Sequence, residues 1–182
     1  MSVLRYAGSI SIPVEITPRP QDTDGCIAID NLHSTLLLPK QLKILKELYP
    51  TFTNKTMKNF VKSVVALHPA PPMLVLGSET HLALRDVATY DEHKELVSSH
   101  VKRTYFIKVM NQLEMQAYLD TLTDTLGIPN VERFFHVSVA NYTGKPTDSI
   151  GDINATDLND YTEPPHSFIH YRVEEINERG DE

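Results

Sequence analysis

Leu32-His33-Ser34-Thr35-Leu36 and Phe135-His136-Val137-Ser138-Val139 are the two stretches that decide how this chain is read. Of its eight histidines, only these two are followed by Ser or Thr two residues later. Both motifs are bracketed by apolar residues, and both read as strands, Asn31 to Leu38 and Arg133 to Asn141. Residues i and i+2 of a strand share a face, so each motif sets an imidazole beside a hydroxyl, aimed the same way.

That pairing suits phosphodiester cleavage. An imidazole near its ordinary pKa can accept or donate a proton at neutral pH, and two of them can do both in one reaction. One takes the proton of the attacking water or hydroxyl, and the other protonates the leaving oxygen. Thr35 and Ser138 can hydrogen-bond the non-bridging oxygens, where charge must be stabilised. The scheme needs no metal and no cofactor. Taken singly, each histidine is better read as a core residue; as a pair with matched surroundings they are not.

With these motifs the chain resembles the two-histidine phosphoesterases, among them the cyclic phosphodiesterases and the proteins similar to 2′–5′ RNA ligases. The likeness covers most of the chain and is strongest in its second half: strand Arg103 to Met110, helix Asn111 to Leu126, then the His136 strand. Ser138 stands where Thr is commoner, a change the family tolerates. The resemblance implies an α+β fold of two related lobes, with antiparallel sheets flanking a central cleft into which each lobe sends one motif strand. It implies His33, Thr35, His136 and Ser138 as the catalytic set. Members of the family open 2′,3′-cyclic phosphates, cleave 2′–5′ linkages or degrade cyclic oligonucleotide signals, the last including phage proteins that disarm bacterial defence.

Composition narrows the substrate. The 182-residue, 20.6 kDa chain carries a net charge of −7 and a pI of about 5.6. That argues against a sequence-independent grip on long nucleic acid, which rests on many Lys and Arg contacts to phosphates, but leaves a small nucleotide or a short or cyclic oligonucleotide allowed. Hydrophobic residues make up 41%, enough for one domain over residues 1–182 with a real core. Cys26 is the only cysteine, which excludes an internal disulfide and a Cys-rich zinc site. No signal peptide and no membrane span is read, so the expected address is the cytoplasm, that of the host if the protein is viral.

Along the chain, Ile10 to Ile16 reads as an edge strand because of Pro13. Pro39 opens a helix over Gln41 to Tyr49, and Lys58 to Leu67 and Met73 to Leu76 read as strands joined through His68-Pro69-Ala70-Pro71-Pro72. Asp91 to Val101 reads as a helix. Asn111 to Leu126 is the clearest helix, with Leu113, Ala117, Leu119, Leu122 and Leu126 as its apolar stripe, closed by Gly127 and Pro129. Gly144 to Pro165 is a long polar loop, Ser167 to Ile176 a closing strand, and Asn177 to Glu182 a frayed tail.

Other residues offer further candidate roles. Tyr142 and Lys145 could supply a base-stacking ring and a phosphate donor, with a solvated turn as the equal alternative. Lys40 is better read as solvated. His166 and His170 stand four apart but lack a metal-site pattern. His68, His81, His93 and His100 read as surface or loop residues. Asp152, Asp157 and Asp160 form an acidic run, one of which could orient a histidine. The expected activity is a metal-independent phosphodiesterase acting on a 2′,3′-cyclic or 2′–5′ linked phosphodiester. The alternatives are a cyclic-oligonucleotide hydrolase that removes a bacterial immune signal, and a non-catalytic nucleotide-binding module.

Overall fold

The computed structural model describes residues 4–22, 24–153 and 172–174. Its elements run β1 (Arg5–Tyr6), β2 (Ile10–Pro13), β3 (Glu15–Thr17), β4 (Ile27–Ala28), β5 (His33–Leu37), α1 (Pro39–Leu48), α2 (Asn54–Leu67), β6 (Leu76–Tyr90), β7 (Leu96–Val109), α3 (Gln112–Leu126), β8 (His136–Asn141) and β9 (Arg172–Glu174). The fold is mixed α+β, and its strands pair antiparallel throughout. One sheet has the order β1-β2-β5, another β4-β8-β7-β6, and β3 pairs with β9. The two motif strands therefore belong to different sheets. One continuous core joins them, from Ile10, Ile12 and Leu36 through Leu45 and Val61 to Ile107, Leu119, Leu122 and Val137.

The helices that carry strong end signals form where the sequence places them. Pro39 sits in the first turn of α1, where its missing N–H costs nothing. Gly127 ends α3 in the left-handed conformation, donating its N–H to Asp124 O and satisfying an otherwise orphaned carbonyl. The buried face of α3 is turned from the expected stripe: Met115, Tyr118, Leu119, Leu122 and Leu126 pack inward, while Ala117 is exposed and Leu113 is 88% exposed.

Four expectations change. Lys58 to Leu67 is helix, not strand. Its β-branched valines favour strands locally, but Met57 and Val61 are spaced to pack inward together from one helical face, and Thr53 caps it by accepting from Thr56 N (3.1 Å). Asp91 to Val101 is not a helix. It forms the turn and outgoing strand of the long β6–β7 hairpin, where Asp91 Oδ1 accepts from the N–H groups of His93 and Glu95 (both 2.9 Å). Met73 to Val75 is irregular, and the strand there begins at Leu76. Ile10 to Ile16 divides at Val14 into β2 and β3, which join different ladders, and β2 lies between β1 and β5 rather than at an edge. Pro13 is tolerated because it ends β2, beyond the register of β1.

Of the expected loop from Gly144, residues 144–153 are described, with a 3-10 turn over Pro146–Asp148. Arg172–Glu174 is the described part of the expected closing strand. The remainder of both, and the 177–182 tail, lie outside the described residues. Among the described residues no helix is long and apolar enough to cross a membrane.

Candidate functional site

His33 opens β5 and His136 opens β8, and the two strands run side by side although they belong to different sheets. The local geometry repeats. His33 Nδ1 lies 3.0 Å from Asn31 O, and His136 Nδ1 lies 3.0 Å from Phe134 O. A carbonyl can only accept, so in each neutral ring Nδ1 carries the proton and Nε2 is the basic nitrogen. Alternation does the rest: Ser34, Leu36, Val137 and Val139 point into the core, while Thr35 and Ser138 sit on the same face as the histidine two residues before them.

The structure brings all four motif residues to one place. His33, Thr35, His136 and Ser138 line a cavity of about 30 Å³, closed by Ile29, Pro146, Ser149 and Gly151. It has room for water but not for a nucleotide. His33 and Thr35 also face a far larger cavity of about 670 Å³, within the size range of small-molecule sites. Its walls include Arg5, Ser11, Asn31, Lys40 and Thr147.

The two histidines differ in cover. His33 is half-buried, whereas His136 is 5% exposed. Phe134 stacks on the His136 ring and Phe106 meets it edge-on, with centroids 6.0 and 5.6 Å away. Burial pushes its pKa down to about 4; the Phe134 and Ile150 backbones oppose this, and the charges of Arg133 and His33 add to it. At neutral pH His136 is therefore neutral and able only to accept a proton.

The segment Pro146–Asp152 is what covers it. Buried Asn141 organises the turn, donating from Nδ2 to Lys145 O (2.7 Å) and Ser149 Oγ (2.9 Å) and accepting from Gly144 N (2.6 Å). Gly144 has φ +77°, and a Cβ there would lie 2.8 Å from Ile27 Cγ2, so no other residue fits. Ile150 N donates to Thr104 Oγ1 (2.9 Å), and Arg133 Nη2 to Gly151 O (2.7 Å). Asp152 joins Lys40 (2.9 Å) to Arg85 (2.8 Å). Partial burial would raise its pKa, but these two cations prevail and hold it at about 2.

Tyr142 and Lys145 line neither cavity. Tyr142 is exposed, and Lys145 serves the turn through its backbone. Lys40, read as solvated, lines the large cavity and pairs with Asp152. His81 lies in β6 stacked on Phe106, not in a loop. His166, His170, Asp157 and Asp160 lie outside the described residues, among which no three His, Cys, Asp or Glu side chains converge as a metal site. Arg5 and Ser11 were missed because sequence spacing cannot announce cross-strand neighbours, whereas Asn31 stands two residues before His33 and local spacing did signal it. For the covering segment a signal existed: Ile150 and Ile153, two buried apolar residues in a polar run.

No family model, no curated protein and no solved structure matches this chain.

Proposed function

We propose that this protein is a metal-independent phosphodiesterase in which His136 is the general base and His33 the general acid. The observation that carries this reading is the shared cavity lined by both motifs, with the same Nδ1 bond fixing each ring. The substrate phosphate lies in the large cavity against His33 and Thr35. The attacking water lies in the small one, oriented by Ser138. Neutral His136 takes the water's proton through Nε2 as its oxygen attacks phosphorus; the bond to the leaving oxygen breaks, and that oxygen takes the proton of His33. Thr35 Oγ1 hydrogen-bonds a non-bridging oxygen as charge builds there.

The family reading belongs to the same proposal: one lobe built on the sheet of β5, the other on the sheet of β8, and the two-histidine phosphoesterases as relatives. The substrate is a small nucleotide phosphodiester, 2′,3′-cyclic or 2′–5′ linked, or a cyclic oligonucleotide. The near-complete burial of His136 favours one second reading, a nucleotide-binding module without catalysis. Turnover assays in EDTA across 2′,3′-cyclic nucleotides, 2′–5′ dinucleotides and cyclic di- and trinucleotides separate the two. Cleavage of at least one substrate is expected; saturable binding with no cleavage of any would establish the module instead.

A further inference from the structure

The face of the three-stranded sheet that carries Thr35 carries a cation as well. Arg5 on β1 is in register with Ser11 on β2, and Ser11 with Thr35 on β5. Cross-strand partners share a face, so the three form a row across the sheet, and all three line the 670 Å³ cavity together with His33. At about 4.8 Å per strand, the Arg5 backbone stands roughly 10 Å from that of Thr35, a span that one nucleotide unit bridges once the guanidinium leans inward. Among the described residues the Arg5 side chain makes no hydrogen bond and no ion pair, unlike Lys40 across the cavity, which Asp152 neutralises. Arg5 also forms the ridge between this cavity and a hollow of about 260 Å³ beside Lys62.

We propose that Arg5 binds a second phosphate of the substrate, so that the preferred substrate is an oligonucleotide with at least two phosphates rather than a mononucleotide. This rests on the catalytic reading above, which places the reacting phosphate at His33 and Thr35. A planar guanidinium that is unpaired among the described residues suits a phosphate, which it can grip through two parallel hydrogen bonds. Among the described residues no aromatic side chain lines the cavity. The net charge of −7 agrees with one local cation rather than a long basic track.

The test uses a 2′–5′ diadenylate without a terminal phosphate, the same compound phosphorylated at its 5′ or its 3′ end, and a cyclic diadenylate. In the parent protein one terminal phosphate, or the second phosphate of the ring, should raise kcat/KM roughly tenfold or more, the scale of a charge-assisted Arg–phosphate contact. Whichever form shows the gain identifies a linear or a cyclic substrate. Arg5→Gln should abolish the gain and Arg5→Lys restore part of it, while Lys55→Ala, on α2 outside both cavities, should keep it. No gain in the parent, or a gain that survives Arg5→Gln, overturns the proposal. Equilibrium binding of the same nucleotides to the His33→Ala protein keeps the two questions apart. A phosphate preference that depends on Arg5, seen without turnover in the parent, retains the subsite and removes the catalytic reading; equal binding of all forms removes the subsite.

Discussion

β5 and β8 begin with the same motif, hold the imidazole by the same bond to a carbonyl two residues back, and point a hydroxyl the same way, yet one histidine faces a cavity of about 670 Å³ and the other is almost enclosed. The difference teaches how one motif yields two environments. Local sequence sets the ring orientation and tautomer, whereas distant residues set the charge. Phe106, Ile150 and Gly151 wrap His136 and keep it neutral, whereas His33 opens onto the cavity lined by Asn31, Lys40 and Thr147.

The largest effect should come from deleting either ring. His33→Ala and His136→Ala should each lower kcat by roughly a hundredfold or more, the scale of losing a general acid or base, with substrate affinity less affected. A steady-state comparison of kcat and KM checks this. Loss confined to His33→Ala would leave His136 as a core residue and break the pairing.

Next comes stability against pH, where the two should diverge. The folded pKa of His136, about 4, is below the value of 6.5 expected when unfolded, so between those pH values only the unfolded chain takes up the proton. Stability should be full above pH 6.5 and fall as pH drops toward 4, by about 3 kcal/mol in all at about 1.4 kcal/mol per pKa unit. Urea unfolding at pH 7 and pH 4.5 measures it. The difference between parent and His136→Asn isolates this contribution from those of His68 and His81, whose pKa values burial also lowers. An identical slope in both proteins would mean that His136 is not held neutral.

A smaller effect separates the hydroxyls. In the proposed reaction Thr35→Ala removes a bond to the reacting phosphate, and it should slow kcat/KM roughly tenfold or more, on the scale of a hydrogen bond to a charged group. Ser138→Ala, which removes the hydroxyl without adding bulk to the small cavity, should act on kcat with little change in KM, since Ser138 faces only that cavity. Smallest of all is the change at Asp152. Asp152→Asn loosens the Lys40–Asp152–Arg85 tie, and the His136 resonances followed by NMR should titrate at a higher pH than in the parent. An unchanged titration would show that Ile150 and the aromatic rings seal the ring by themselves.

Much of this comparison was legible in the sequence, and the rest was not for physical reasons. The motif strands could be read because period two is a local property, and α1 and α3 because Pro39 and Gly127 mark their ends. α2 was hidden by Val61, Val64 and Val65, whose strand preference gives way to packing along a helical face. The outer part of the β6–β7 hairpin was hidden because cross-strand pairing holds it; Leu96, Val97 and Val101 are exposed, so no alternation records a buried side. The contrast between the two histidines could not be read from their motifs, although Ile150 and Ile153 marked the segment that covers one of them. It arises from residues brought over His136 by the fold, chiefly Phe106 and Ile150.

The pH profile of kcat/KM in EDTA, on whichever phosphodiester is cleaved, tests the two-histidine mechanism most directly. A bell is predicted, its acid limb near pH 4 and assigned to His136, its alkaline limb assigned to the proton held by His33, with no response to chelator. His136→Ala should abolish the acid limb and His33→Ala the alkaline one. Activity that is lost in EDTA and restored by zinc or manganese, or a profile with one flat limb in the parent protein, would contradict acid–base catalysis by this pair.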